Sequence, residues 1–215
     1  MYMIKPKIAV FVHHPACSVD SVNGLMYALS SHYDFKLFSR DEVEQSFFDD
    51  VNIIAFPGGI GDADRFDRLM EYNKDHVNNF VKNGGKYLGI CMGAYWAGKG
   101  YFNILDNIDA VQYIKRPNTD TRRPHPKALS VNWNGAEERM YFYDGCALIG
   151  SIINAIATYK NNDAMAIIQD NIGLIGCHPE SQEYWYNKSY LKPHWHQGRH
   201  YELLLDFVLK LDMRV

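Results

Sequence analysis

The chain of 215 residues lacks the features that mark several large classes of protein. No apolar run approaches the roughly 20 residues that a membrane-spanning helix needs, and no cleavage site of small residues follows the apolar stretch at 8–12. Basic residues number 22 against 25 acidic ones and form no block. We therefore expect neither a nucleic acid nor a membrane as a partner.

Cysteine is also scarce. The four cysteines are Cys17, Cys91, Cys146 and Cys177. They include no CxxC pair and do not form the dense pattern of a disulfide framework. This favours a reducing, cytoplasmic environment, in which a single cysteine can be considered as a nucleophile.

The chain has no internal repeat, low-complexity tract or linker that would divide it. Hydrophobic residues make up 47% and aromatic residues 14%, which fits a folded core and argues against disorder. We expect residues 1–215 to form a single domain.

Apolar runs of strand length alternate with amphipathic segments in the first half of the chain. The predicted strands are 7–12, 35–38, 51–56 and 86–90, and the predicted helices are 18–32, 64–83 and 92–97. This alternation predicts a parallel sheet with helices on both faces. The second half predicts an antiparallel extension, a returning strand and a last helix, at 110–114, 128–133, 138–143, 164–169, 172–177 and 201–211.

A cysteine lies between the predicted strand 86–90 and the helix that follows, in the sequence Gly-Ile-Cys-Met-Gly at 89–93. A sharp strand-to-helix turn with small neighbours is a nucleophile elbow, which holds a nucleophile at the carboxyl edge of the sheet. The dipole and free N–H groups of the helix would favour the thiolate of Cys91. The N–H of Met92 would face an oxyanion formed on a substrate carbonyl.

A second oxyanion donor is expected where Pro-Gly-Gly-Ile ends the preceding core strand. Because glycine lets bare backbone approach a ligand, we predict the Gly59 N–H as the donor, with Gly58 shaping the turn. The base is expected at His178, which reaches the same edge if the strand before it joins the sheet. Glu180 would orient and charge-stabilise the imidazole.

Each of these motifs alone has a simpler explanation. Buried cysteines, glycine-rich loops and capped His-Pro-Glu turns are common in proteins without catalytic activity. Here each of the three follows a predicted core strand, and this combination favours a Cys-His-Glu triad.

The segments FPGG, GGKYLGIC and CHPE resemble the class I glutamine amidotransferase superfamily. More narrowly, IAVFVHHPACSVDSV, FPGGIGDADRF, GGKYLGICMGAYWAG and FYDGCALIG resemble the N-terminal domain of some biotin–protein ligases, which also occurs as a stand-alone amidotransferase-like protein. The resemblance implies a flavodoxin-like α/β fold. It also implies Cys91 as nucleophile, His178 as base, Glu180 as orienting group, and Gly59 and Met92 as the oxyanion hole.

Two positions depart from the glutamine-hydrolysing pattern. Those enzymes carry a glutamine four residues after the cysteine, where this chain and the biotin-ligase-type domains have a tyrosine, here Tyr95. The usual Tyr-Asn-Gly-Gly motif is replaced by Tyr-Asp-Gly-Cys at 143–146. Tyr95, Tyr143 and Gly58 are therefore candidate substrate-binding residues, and free glutamine is a doubtful substrate.

Other polar residues have a structural as well as a functional interpretation. The loop after the first strand should face the same edge, so His14 or Ser18 could contact substrate, or Ser18 could only cap the next helix. Three further residues, His194, His196 and His200, have a spacing seen in metal sites, but nothing completes a zinc site. We favour packing of the last helix and expect no metal or other cofactor.

Asp62 also has two interpretations. It is expected to cap the helix after the glycine turn, and a contact with a substrate amine is the less favoured alternative.

The residues predict an enzyme that attacks the carbonyl of an amide through a Cys91 thioester. The resemblance implies a γ-glutamyl amide or a related small amide as the substrate. The sequence shows no biotin-ligase catalytic domain and no synthetase domain, so we expect any acceptor of ammonia to bind to a separate synthetase or ligase subunit. Two alternatives stay open: a peptidase-like or γ-glutamyl-hydrolase-like enzyme on the same triad, and a binding or regulatory domain without turnover.

Overall fold

The computed structural model describes residues 5–60, 62–151 and 153–214. The strands are β1 (Lys7–Phe11), β2 (Asp34–Phe38), β3 (Ile53–Phe56), β4 (Lys86–Ile90), β5 (Ile108–Gln112), β6 (Lys127–Trp133), β7 (Ala136–Phe142), β8 (Cys146–Gly150), β9 (Ala155–Tyr159), β10 (Ala164–Gln169) and β11 (Ile172–Ile175). The α-helices are α1 (Val19–Leu29), α2 (Ala63–Met70), α3 (Lys74–Lys82), α4 (Met92–Trp96) and α5 (Arg199–Asp212). None of these helices has the length and apolar character that a membrane span requires.

The described strands form one sheet of eleven strands. Its parallel half has the order β2-β1-β3-β4-β11, which is the order of a flavodoxin-like fold. The strands β10, β9, β6 and β7 continue the sheet in antiparallel pairing, and β8 pairs with β10 and β5. The predicted parallel sheet with an antiparallel extension is therefore confirmed.

Helices cover both faces of the parallel strands. In β4, the Tyr87 hydroxyl donates a hydrogen bond of 2.7 Å to the Gly93 carbonyl oxygen in α4. The next residue, Leu88, pairs with Gly173 of β11, and a Cβ added at Gly173 would stand 2.9 Å from Phe207 of α5. Because successive side chains of a strand point to opposite faces, α4 and α5 lie on opposite faces of the sheet.

The predicted helix 64–83 is wrong in one respect, because the segment forms two helices, α2 and α3, separated at 71–73. Asn73 is fully buried in this break. Its side chain accepts a hydrogen bond of 3.0 Å from the Val43 N–H and donates to the carbonyl oxygens of Ser39 and Asp41 at 2.9 and 2.8 Å. These tertiary contacts override the helical pattern and fix the loop after β2.

The second half contains two strands, β8 and β9, that the sequence pattern did not predict, and β5 begins two residues before its predicted start. The pairing of β9 with β10 is interrupted by register shifts. The strand β8 pairs with β5 in regular register, but its first three residues are all buried. Neither β8 nor β9 shows the regular period-2 alternation from which a half-buried strand is recognised.

Candidate active site

The candidate catalytic segments meet at the carboxyl edge of the parallel sheet. The strands β3, β4 and β11 are neighbours and run in parallel, so their carboxyl ends lie side by side. Gly58 and Gly59 follow β3, Cys91 follows β4, and His178 follows β11. All four residues line one cavity.

Cys91 has the strained backbone conformation of a nucleophile elbow. Its φ of 49° and ψ of −99° lie in a region that residues other than glycine rarely adopt. Its N–H donates a hydrogen bond of 2.8 Å to the Ile175 carbonyl oxygen. A Cβ at Gly93 would stand 1.9 Å from the Phe56 carbonyl oxygen, and one at Gly89 would stand 2.5 Å from the Gly93 carbonyl oxygen. Glycine at both positions therefore allows α4 to lie this close to β3 and β4.

A chain of buried hydrogen bonds holds the His178 imidazole. Its Nδ1 lies 2.8 Å from Oε1 of Glu180. The same carboxylate oxygen accepts a hydrogen bond of 2.6 Å from the Ser21 hydroxyl, and Ser21 Oγ accepts one of 2.8 Å from the Gly58 N–H. Glu180 and Ser21 are both fully buried. The imidazole is thus tied to α1 and to the loop after β3, and no motif in the sequence points to this role of Ser21.

The charges around His178 favour its protonated form. Burial is the largest single contribution and opposes protonation. The negative charges of Glu180 and Cys91, with the hydrogen bonds to both residues, outweigh burial and raise the pKa of His178 to about 10. An imidazolium beside a cysteine is an arrangement that stabilises a thiolate.

The other cysteines lie in a different environment. All four thiols are free, but Cys17, Cys146 and Cys177 are completely buried, whereas Cys91 is 6% exposed and lines the cavity. Burial raises the pKa of the Cys17 thiol to about 12 and raises the pKa values of Cys146 and Cys177 well above the ordinary value. We therefore expect these three thiols to be unreactive.

The two residues predicted to supply the oxyanion hole, Gly59 and Met92, both line the cavity. Gly59 and Cys17 face each other in an isolated antiparallel bridge. Its hydrogen bonds are made by neighbouring residues: the Ser18 N–H donates to the Gly58 carbonyl oxygen at 2.9 Å, and the Ile60 N–H donates to the Ala16 carbonyl oxygen at 2.7 Å. Gly59 is therefore at a non-hydrogen-bonded position, and its N–H points away from Cys17. Met92 is the first residue of α4, where N–H groups have no acceptor within the helix.

The cavity in front of Cys91 has a volume of about 670 Å³, which is in the range of small-molecule sites. Of the candidate substrate-binding residues, Gly58, Ser18, Tyr95 and Tyr143 line it. Ser18 also caps α1, because its Oγ accepts a hydrogen bond from the backbone of that helix. His14 is exposed in the turn after β1 and is not among the described residues that line the cavity.

Several cavity residues were not identified from the sequence: Asp20, Tyr101, Gln112, Tyr141, Asp144, Tyr184 and Trp185. The Tyr141 and Trp185 rings contact the His178 imidazole, with centroid separations of 5.9 and 5.5 Å. These residues come from separate segments of the chain, so no local motif connects them to the elbow.

Tyr95 forms part of the cavity wall. Its hydroxyl donates a hydrogen bond of 3.1 Å to the Asp144 carbonyl oxygen, which joins α4 to the turn after β7. Burial raises the pKa of Tyr95 well above its ordinary value, so the hydroxyl stays neutral.

The histidines near the last helix pack against protein groups. The described residues contain no group of three or more His, Cys, Asp or Glu side chains that could hold a metal ion. The rings of His196 and His200 stack at 4.2 Å, His196 Nε2 lies 3.0 Å from the Ser181 carbonyl oxygen, and His200 Nε2 lies 3.4 Å from Glu138 Oε2. Burial lowers the pKa of His196 to about 4 and that of His200 to about 3, so both are neutral at physiological pH.

Comparison with known sequences links part of the chain to a family. Residues 10–109 match the family model described as Biotin-protein ligase, N terminal. The matched segment includes the glycine turn at 57–60 and the elbow at 89–93, and it ends before His178 and Glu180. A comparison with curated proteins found no significant match.

Solved structures of low sequence identity share the fold. A glutamine amidotransferase from Thermotoga maritima has a TM-score of 0.69 and 9% identity, covering 98% of this chain and 100% of its own. PurLQS from Thermotoga maritima has a TM-score of 0.63 and 14% identity, with coverages of 95% and 100%. A glutamine amidotransferase from Methylobacillus flagellatus has a TM-score of 0.63 and 13% identity, with coverages of 99% and 97%. The chain therefore has the class I glutamine amidotransferase-like fold, and its residues 10–109 match the N-terminal family of biotin–protein ligases.

Proposed function

We propose that the protein is a cysteine-nucleophile amidase of the class I glutamine amidotransferase-like type. Cys91 is the nucleophile, His178 is the general base and acid, and Glu180 orients the imidazole. Gly59 and Met92 supply the oxyanion hole. The observation that carries the proposal is the 2.8 Å contact between His178 Nδ1 and Glu180 Oε1, in the same cavity as a cysteine with the elbow conformation.

The proposed reaction begins with acylation of the enzyme. His178 holds the proton of the Cys91 thiol as an imidazolium, and the Cys91 sulfur attacks the amide carbonyl carbon as a thiolate. The carbonyl oxygen becomes an oxyanion that accepts hydrogen bonds from the N–H groups of Gly59 and Met92. The C–N bond then breaks, and the protonated His178 gives its proton to the leaving amine. The raised pKa of His178 supports this donor role.

Hydrolysis of the thioester completes the cycle. Water attacks the thioester carbonyl and gives a proton to His178, and the C–S bond breaks to release a carboxylic acid and restore Cys91. The C–N bond is thereby replaced by a C–O bond, and no oxidant or reductant is needed.

In this proposal residues 1–215 act as one domain, which is supported by the single sheet that joins the described strands. When the leaving amine is ammonia, its acceptor binds to a separate ligase or synthetase subunit.

The test is to measure amide hydrolysis and thioester formation together. The purified protein is incubated with glutamine, γ-glutamyl dipeptides and simple primary amides, while ammonia and free amine are quantified and hydroxylamine traps the acyl group as a hydroxamate. We expect ammonia and hydroxamate from the wild type, neither from Cys91→Ala, and a rate lower by roughly 100-fold or more in His178→Ala.

Other results identify the alternatives. Release of a peptide amine without ammonia favours the peptidase-like or γ-glutamyl-hydrolase-like enzyme. Hydrolysis by Cys91→Ala at the wild-type rate contradicts the proposed nucleophile.

A further inference from the structure

On the basis of the function proposed above, we propose that the cavity takes an amide that carries a positive charge and no carboxylate group. The inference comes from the side chains that surround the triad. It disfavours glutamine, whose carboxylate would have to enter the same cavity.

The ionisable groups on the cavity wall are mainly acidic. Asp20, Asp62 and Asp144 line it, and its described lining residues include no lysine or arginine. His178 is the one lining residue described that would carry a positive charge, and its imidazole is already paired with the Glu180 carboxylate. A ligand carboxylate would thus lose water and meet no cationic partner.

Two of the three aspartates are held by neutral donors. The Tyr184 hydroxyl donates a hydrogen bond of 2.7 Å to Asp20 Oδ1, and Gln112 Nε2 donates one of 3.0 Å to Asp144 Oδ2. Burial raises the pKa of Asp144, and the hydrogen bond from Gln112 and the charge of Lys115 offset this only in part. A ligand cation nearby would relieve the remaining cost of this half-buried charge.

Asp62 contributes less negative charge to the cavity than Asp20 and Asp144 do. It caps α2 by accepting a hydrogen bond of 2.8 Å from the Arg65 N–H, and the Arg65 guanidinium lies 3.8 Å from its other oxygen. The negative potential of the cavity therefore rests mainly on Asp20 and Asp144.

Aromatic rings form most of the remaining wall. The six aromatic residues that line the cavity are Tyr95, Tyr101, Tyr141, Tyr143, Tyr184 and Trp185. The faces of tyrosine and tryptophan rings attract ammonium groups, most strongly where water is displaced. Trp185 lies edge-on to Tyr141 at 5.1 Å and to His178 at 5.5 Å, so this aromatic surface extends to the catalytic imidazole.

Three amides of equal length test the inference. At neutral pH 4-aminobutanamide is a cation, pentanamide is neutral and glutaramate is an anion. Their dissociation constants are measured by calorimetry on Cys91→Ala, which separates binding from turnover. We expect 4-aminobutanamide to bind about 10-fold more tightly than pentanamide, and glutaramate to bind most weakly.

A matched pair of variants assigns the effect to the cavity. Asp144→Asn removes the charge with little change of shape and should reduce the preference for 4-aminobutanamide over pentanamide by about 3-fold or more. Asp109→Asn, at an exposed position of β5 outside the cavity, should leave that preference unchanged.

The charge inference is overturned by equal binding of the three amides, by a preference for glutaramate, or by binding of none of them. Turnover of the same amides by the wild type is scored separately. Cation-selective binding without hydrolysis supports the charge inference and counts against the amidase. Hydrolysis of glutaramate faster than the other two supports the amidase and contradicts the charge inference.

Discussion

Removal of the Ser21 hydroxyl tests how the proposed triad is held in place. This hydroxyl donates to Glu180 Oε1 at 2.6 Å and accepts from the Gly58 N–H at 2.8 Å, and both contacts are buried. Ser21→Ala removes the hydroxyl and keeps a good helix former in α1. Within the described structure Glu180 Oε2 has no hydrogen-bond partner, so Glu180 would then be held through His178 alone.

The loss of stability expected in Ser21→Ala follows from the two hydrogen bonds of the Ser21 hydroxyl. A buried N–H without a partner costs about 1–3 kcal/mol, and a hydrogen bond to a charged group contributes about 1.5–3 kcal/mol. The higher helix propensity of alanine offsets roughly 0.5 kcal/mol of this loss in stability. Allowing for local relaxation, we expect the free energy of unfolding to fall by about 2–4 kcal/mol. We expect alkylation of Cys91 at neutral pH to slow about 10-fold, because the imidazole is less firmly oriented.

Urea unfolding and the pH profile of iodoacetamide alkylation measure the two effects. Ser30→Ala is the matched control, since that exposed hydroxyl at the end of α1 only donates to the Tyr27 carbonyl oxygen at 3.2 Å. If Ser21 acted only in stability, the variant would unfold more easily with an unchanged alkylation profile. A Ser21→Ala protein with wild-type stability and wild-type alkylation would refute the reasoning.

Three further changes test other parts of the structure. Gly58→Ala places a Cβ 2.5 Å from Cε1 of His178, so Cys91 alkylation should slow about 10-fold; an unchanged rate contradicts the close contact. The raised pKa of His178 stabilises the fold fully below about pH 6.5, and this contribution is lost as the pH rises through about 10. In urea unfolding, the wild type should therefore be more stable than His178→Gln by an amount that decreases as the pH rises from about 6.5 to about 10. A difference in stability that stays constant over this pH range contradicts the raised pKa of His178. Asn73→Ala should lower the free energy of unfolding by about 2–4 kcal/mol without changing Cys91 alkylation, as judged by thermal unfolding and mass spectrometry.

Local patterns predict the elements that carry the candidate triad. The continuous apolar runs of β1, β3, β4 and β11 are fully or almost fully buried, and such runs are recognisable without a partner strand. Gly89 and Gly93 stand two residues before and two residues after Cys91, so the elbow is also visible in a short window of sequence, although the close contact that requires Gly93 is with Phe56 of β3. The carboxyl-edge rule then places the residues that follow parallel strands near one another.

Contacts between distant segments could not be predicted in this way. Ser21 and Glu180 are separated by 159 positions, and a serine in the first turn of a helix carries no signal of such a partner. The break at Asn73 depends on carbonyl groups in the loop after β2. Tyr141 reaches the cavity from the end of β7, and Trp185 reaches it from the segment after β11, so their positions depend on how the antiparallel extension and that segment fold together.

The central claim is that Cys91 is a nucleophile activated by His178, and selective alkylation tests it most directly. Iodoacetamide modification is followed against pH in the wild type and in His178→Ala, and peptide mass spectrometry assigns each site. We predict that Cys91 reacts at neutral pH far faster than Cys17, Cys146 and Cys177, and that it slows in His178→Ala. Reaction of Cys91 at the same rate as the three buried thiols, or at a rate independent of His178, would contradict the account.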